Sequence, residues 1–221
     1  MPSTPSGIPD RAYPDADTLA DHWWWRPGWQ VGTRFYAWHI TVADLPALAE
    51  HVATHQQALS RFGFLDPVPR EWLHITVQGL DHIQAVDDAT RDRVLAEVGR
   101  RLEGITAPTL TFARPVLFTE AIVIPPTDPE PLSAIRDAIR DGIQATYGTP
   151  EGKPPNRFRP HVSAAYVNQA ADPRPVREAL DALDVPPVHV PVTHVSLIEM
   201  HRDNRMYEWT KIAEVPLRVN R

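Results

Sequence analysis

Leu73-His74-Ile75-Thr76-Val77 alternates apolar and polar side chains, and 87 residues later Pro160-His161-Val162-Ser163-Ala164 repeats the pattern. Each stretch reads as a strand, because successive strand side chains point to opposite faces at ~3.3 Å rise per residue. His74 and Thr76 then share one face, ~6.6 Å apart, with Ile75 and Val77 on the other. His161 and Ser163 likewise share a face, opposed to Val162. An imidazole beside a hydroxyl, twice, forms a cradle for one tetrahedral anion. Each imidazole takes or gives a proton near neutral pH, and each hydroxyl donates to a non-bridging oxygen. Phosphodiester chemistry needs such a set: one group activates the attacking oxygen, another protonates the leaving oxygen, and fixed donors hold the developing charge.

The flanking residues narrow the reading. Pro69-Arg70-Glu71-Trp72 leads into the first motif and Phe158-Arg159 into the second. On these residues the chain resembles the 2H phosphoesterases, named for two His-x-Thr/Ser motifs, and in particular the bacterial 2′-5′ RNA ligase or RNA cyclic phosphodiesterase branch. The resemblance spans roughly Phe35 to Leu217, most of a compact domain. It implies that His74, Thr76, His161 and Ser163 are catalytic, and that a cyclic phosphate is opened with neither metal nor cofactor. The implied substrate is a nucleotide or an RNA terminus bearing a 2′,3′-cyclic phosphate. Run backward, the same site joins a 2′- or 3′-hydroxyl to a phosphate. Base and acid stay unassigned, since reversing the substrate between the histidines exchanges their roles. A module that binds such a ligand without hydrolysing it is the alternative.

Composition bounds these readings. The 221 residues, 43% hydrophobic and 23% charged, suit a soluble globular protein with a sizeable core. No apolar run approaches the ~20 residues of a membrane span. Residues 1–14 are rich in proline and lack the apolar middle of a signal peptide, so a cytoplasmic protein is expected, with residues 1–20 as a flexible tail and 21–221 as a single bilobal domain. The absence of cysteine excludes disulfides and thiolate chemistry. A net charge of −6 opposes the broad phosphate-tracking surface that long nucleic acid requires. Locally the balance reverses, as Lys153, Arg157 and Arg159 precede His161.

Along the chain, Asp21 to Trp29 holds four of the seven tryptophans; packing over the domain and stacking on a nucleobase are its two uses, packing being favoured. Strands are expected at 35–42, 73–79, 110–112, 116–118, 121–124, 160–164, 188–195 running on toward Met200, and 209–217. Helices are expected from Asp44 or Pro46 to about Leu59, and over Asp87 to Leu102, Leu132 to Tyr147 and Pro175 to Leu183. His51 and His55 fall at i and i+4, but without the glutamate of a zinc motif they are expected at the surface. Residues 148–155, with three prolines and two glycines, make a long loop over the site. The alternation predicts an α+β fold with two pseudo-symmetric lobes of antiparallel sheet, helices packed outside, and a central groove carrying both motifs.

Two further copies complicate the count. His39-Ile40-Thr41 and His194-Val195-Ser196 carry the same pattern, making four where composition alone gives about 0.4. Their offsets, 35 residues from His39 to His74 and 33 from His161 to His194, predict a duplicated strand, helix, strand unit. His39, Thr41 and His194, with Arg70, Trp72, Arg157 and Arg159, are therefore candidate substrate contacts. Tyr166 ranks lower, because a regular strand would turn it away from His161 and Ser163.

Overall fold

The computed structural model describes residues 13–148 and 158–219. Most of the long loop expected to cover the site lies outside the described residues. In chain order the elements are β1 (Phe35–Thr41), α1 (Pro46–Leu59), β2 (Leu65–Pro67), β3 (His74–His82), α2 (Asp88–Leu102), β4 (Thr109–Phe112), β5 (Val116–Phe118) and β6 (Ala121–Ile124). There follow α3 (Glu130–Thr146), β7 (Val162–Val167), α4 (Arg174–Asp181), β8 (Val188–Pro191), β9 (His194–His201) and β10 (Glu208–Pro216). Local chemistry explains the helix starts. Pro46 opens α1, where its missing N–H is no loss. Asp87 caps α2 by accepting from the Thr90 backbone N–H at 2.7 Å.

Eight strands form one antiparallel sheet in the order β10-β9-β1-β3-β7-β6-β5, with β2 also on β7, while β4 and β8 pair separately. Trp38, Ile40, Ile75, Val77, Val195 and Leu197 share a core with Val94, Val98 and Leu102 of α2 and with Leu132, Ile135, Ile139 and Ile143 of α3. Apolar side chains at alternate positions thus bury one face under two helices and leave the alternate positions, the histidines and hydroxyls among them, for the other. Among the described residues β3 meets β7 at one register position, Ile75 opposite Val162. The two halves of the sheet therefore join over a short seam and diverge on either side of it.

Four expectations change. β3 continues past Gly79 to His82. The stretch from Val188 to Met200 divides into β8 and β9, which belong to different sheets. The two blocks share element order but not pairing, since β1 adjoins β3 while β7 and β9 lie outside them. His51 and His55 are buried, not at the surface: His51 Nε2 lies 2.8 Å from the Ala113 carbonyl and His55 Nδ1 lies 2.8 Å from the His51 carbonyl. Two imidazoles with one backbone acceptor each are satisfied inside a core.

Residues 1–12, most of the expected tail, lie outside the described residues, and 13–20 run along β5, with Ala16 N–H donating to Leu117 O at 2.7 Å and Leu19 bridging to Ala171. The tryptophan arm then packs over the domain through Trp23, which is buried and donates to Asp66 Oδ2 at 2.8 Å. Trp24 and Trp25 remain half-exposed. Glu120, at the β5–β6 turn, holds the arm by accepting from Trp24 Nε1 and from Arg26, both at 2.9 Å.

Candidate functional site

The seam between β3 and β7 sets the geometry. Ile75 faces Val162 across an antiparallel pair. His74 and Thr76 flank Ile75 on β3, and His161 and Ser163 flank Val162 where β7 begins, so alternation puts these four side chains on the face opposite to that of Ile75 and Val162. Each ring is oriented alike: His74 Nδ1 lies 2.8 Å from the Trp72 carbonyl, and His161 Nδ1 lies 2.7 Å from the Arg159 carbonyl. A carbonyl only accepts, so both rings carry their proton on Nδ1.

The other two copies extend this arrangement. β9, β1, β3 and β7 are consecutive in the sheet. His39 faces Ser196 on one side and Thr76 on the other, while Thr41 faces His74. Imidazole and hydroxyl thus face each other along two rows: Ser196, His39 and Thr76 in one, and Thr41 with His74 in the next. Ser196, His39, Thr41, His74 and Ser163 are buried, His161 and His194 are half-buried and Thr76 is exposed, so the group opens to solvent at Thr76.

Aromatic rings cover His39 and His74. Trp209 meets His39 at 5.6 Å and His74 at 5.0 Å, both edge-on, and Trp72 packs edge-on against Trp209 at 5.0 Å. This burial pushes the His74 imidazole down to about 4, partly offset by its bond to the Trp72 carbonyl, so the ring is neutral at pH 7. His39 lies well below the ordinary imidazole value, first through burial and then through His74 beside it.

Tyr166 corrects an expectation. The register between β6 and β7 shifts at Ala164, with Val123 opposite Ser163 and Ala121 opposite Tyr166. That bulge turns Tyr166 onto the face of Ser163, whose hydroxyl it meets, where a regular strand would have sent it away. His22 of the arm stacks on Tyr166 at 4.3 Å, and Tyr207 lies 3.2 Å from His22 Nε2 through its hydroxyl. Burial pushes His22 down to about 3, with Arg26 and Arg202 adding to it.

The remaining candidates divide. His39 is fully buried and Thr41 nearly so. Arg70 is exposed and paired with Glu50 at 2.7 Å. Trp72 contributes its ring to the aromatic cover and its carbonyl to His74. Arg159 is exposed over the Phe118 ring at 4.4 Å, and Phe118 in turn meets His161 edge-on at 5.2 Å. Arg157 and Lys153 lie outside the described residues. His194 Nε2 lies 3.6 Å from Glu214 Oε2, and with Asp44 these donors fall within 4.8 Å of one another. The Lys211 ammonium already occupies that group, 2.7 Å from Glu214 and 3.8 Å from Asp44. A shallow cavity at Gly28, Trp29, Thr33 and His82 sits at the far end of the β1–β3 ladder, away from both motifs.

Sequence reasoning missed Trp209, Tyr207 and His22 as neighbours of the motifs. Trp209 does open the strand expected near the C-terminus, but nothing local says that its ring meets His39 of β1 and His74 of β3.

The 2′-5′ RNA ligase superfamily model matches residues 45–204. No curated protein matches. Among solved structures, TT0787 of Thermus thermophilus is 20% identical with a TM-score of 0.62, over 85% of this chain and 100% of that one. E. coli LigT complexed with NADP+ is 18% identical with a TM-score of 0.58, over 84% and 98%. LigT complexed with 3′-AMP is 18% identical with a TM-score of 0.56, over the same shares. At such identities the likeness is one of fold, and the family model, matching well over half of the chain, carries the assignment: this protein belongs to the 2′-5′ RNA ligase superfamily.

Proposed function

We propose that this protein is a metal-independent phosphodiesterase that opens 2′,3′-cyclic phosphates of nucleotides or RNA ends, with His74, Thr76, His161 and Ser163 as its catalytic set. The observation that carries the reading is the matched pair of imidazoles on neighbouring strands, each fixed through Nδ1 by the carbonyl two residues before it. Family membership supports phosphoester chemistry, and the E. coli fold neighbour was crystallised with 3′-AMP, one of the two monoesters that such a ring opening yields.

Burial keeps His74 neutral, which suits the base. Its Nε2 takes a proton from water as the water oxygen bonds to phosphorus. His161, half-buried, gives a proton to the ribose oxygen as the bond from phosphorus to that oxygen breaks. Thr76 and Ser163 donate to the non-bridging oxygens. The products are a 2′- or 3′-phosphomonoester and a free neighbouring hydroxyl, with no net proton change at the pair. Bulk water favours hydrolysis over the reverse ligation unless both ends are held close.

A panel of RNA 2′,3′-cyclic ends, cyclic mononucleotides, 2′-5′ linkages and nucleotide-sugar cyclic phosphates tests the proposal. Turnover of at least one is expected to persist in EDTA, and His74→Ala and His161→Ala should each lose ~10²–10⁴-fold. Loss of turnover in EDTA with recovery on adding zinc or manganese would overturn the metal-free mechanism. Tight binding with the ligand unchanged would overturn the catalytic one.

A further inference from the structure

His39 lies behind the proposed catalytic set, with no exposed surface. Its ring is parallel to that of His74, with 4.3 Å between centroids and 3° between planes. Its Nε2 lies 3.3 Å from Thr76 Oγ1, across the ladder position that pairs the two residues. Its Nδ1 is buried and has no hydrogen-bond partner. Burial and the neighbouring His74 keep the ring neutral, so it carries one N–H.

Which nitrogen holds that proton decides what Thr76 can do. With the proton on Nδ1, a donor would be buried without an acceptor, and Nε2 would draw the Thr76 proton inward. With the proton on Nε2, only a lone pair on Nδ1 goes unpartnered. Orphaned buried N–H groups are rarer than under-satisfied acceptors, so the second arrangement is favoured. Ser196, opposite His39 on β9, likewise has a buried hydroxyl with no partner.

We propose that His39 is a positioning residue: its Nε2–H donates to Thr76 Oγ1, leaving the threonine proton free to turn to the open face and bind a phosphate oxygen. This rests on the catalytic reading of Thr76 given above. The stack on His74 and the edge contact with Trp209 hold the ring in the plane that the bond needs.

Long-range ¹H–¹⁵N NMR of the imidazoles in the free protein reads the tautomer without any substrate, so it can fail or succeed independently of the substrate assignment. Protonated Nε2 and bare Nδ1 are expected for His39, and the opposite tautomer would overturn the proposal. Two variants then separate positioning from packing. His39→Phe keeps a buried ring against His74 but has no donor, while His39→Gln keeps a donor near Nε2 without the ring. Positioning predicts that kcat falls on the order of 10²-fold in His39→Phe and only a few-fold in His39→Gln. Thr76→Val combined with His39→Phe should be no worse than Thr76→Val alone. Full activity in His39→Phe with loss in His39→Gln would mean that the ring only fills space.

Discussion

His74 and His161 receive the same treatment from the backbone and opposite treatment from the surroundings. Both carry a proton on Nδ1 because a carbonyl holds it there, yet His74 lies beneath Trp209 and Tyr207 while His161 stands half-open. The roles proposed for the pair follow from this asymmetry. If His74 is the base, its neutral form is the active one, and kcat/KM should fall on the acid side near its depressed value of about 4. Desolvation is the leading cause of that depression, so uncovering the ring should reverse it. Trp209→Ala is expected to move the acid limb upward, toward the ordinary 6.5. A pH profile of kcat/KM for both proteins, with folding checked by circular dichroism at each pH, measures the shift. An acid limb that stays put in the variant would remove His74 from the base position.

At the scale of elements, one carboxylate gathers three contacts of the tryptophan arm. Glu120 is met by Trp24, Arg26 and His22, and none of these contacts is deeply buried on the carboxylate side. Exposed pairs contribute only ~0–1 kcal/mol, so Glu120→Ala should barely change global stability. It should release the arm, seen as faster chymotrypsin cleavage within residues 21–29 while the rest of the chain resists. Equal cleavage rates in wild type and variant would show that Trp23 and Asp66 suffice to hold it. On the helical layer, a Cβ added at Gly142 of α3 would meet Val98 Cγ2 at 2.7 Å and the Val98 backbone at 3.2 Å. Gly142→Ala gains ~1 kcal/mol of helix propensity but forces α2 and α3 apart at ~1–3 kcal/mol. A lower urea midpoint with unchanged kcat is expected, since these helices pack on the face away from the motifs. Elements of this kind were legible wherever periodicity is local: α2 carries its own cap at Asp87, and α3 its stripe of Leu132, Ile135, Ile139 and Ile143. Legibility ended where a neighbour decides. The break between β8 and β9 depends on β4 capturing one half, and the burial of His51 depends on the Ala113 carbonyl, neither of which is written near the residues affected.

For the whole molecule, the four His-hydroxyl motifs were visible in the chain, but their adjacency was not. Near-equal spacings of 35 and 33 residues pointed to two equivalent blocks. Instead β9 closes onto β1, and all four motifs fall on consecutive strands, because pairing is settled by long-range burial that spacing does not encode. One consequence belongs to the protein as a whole. His22, His39, His51, His55 and His74 are all held below their ordinary value, each chiefly by burial. The folded chain therefore keeps these rings neutral at pH values where the unfolded chain, titrating near 6.5, takes up protons. Stability rises with pH wherever the unfolded state binds more protons. It should thus be complete above about pH 6.5 and fall as the pH drops toward the folded values near 4 and 3 of His74 and His22. Each histidine contributes at most ~1.4 kcal/mol per pH unit over its window. The carboxylates behave differently: Glu97, lowered to about 2 by Arg100 and Arg101, loses its contribution only below its ordinary 4.5. The interval from pH 6.5 to 4.5 therefore isolates the histidines. Urea midpoints across it are expected to decline steadily, at high salt as well as low, because desolvation and not charge pairing sets the shifts. His39→Phe should lessen the slope by up to one proton, and a flat wild-type profile would mean that these rings gain their protons without unfolding.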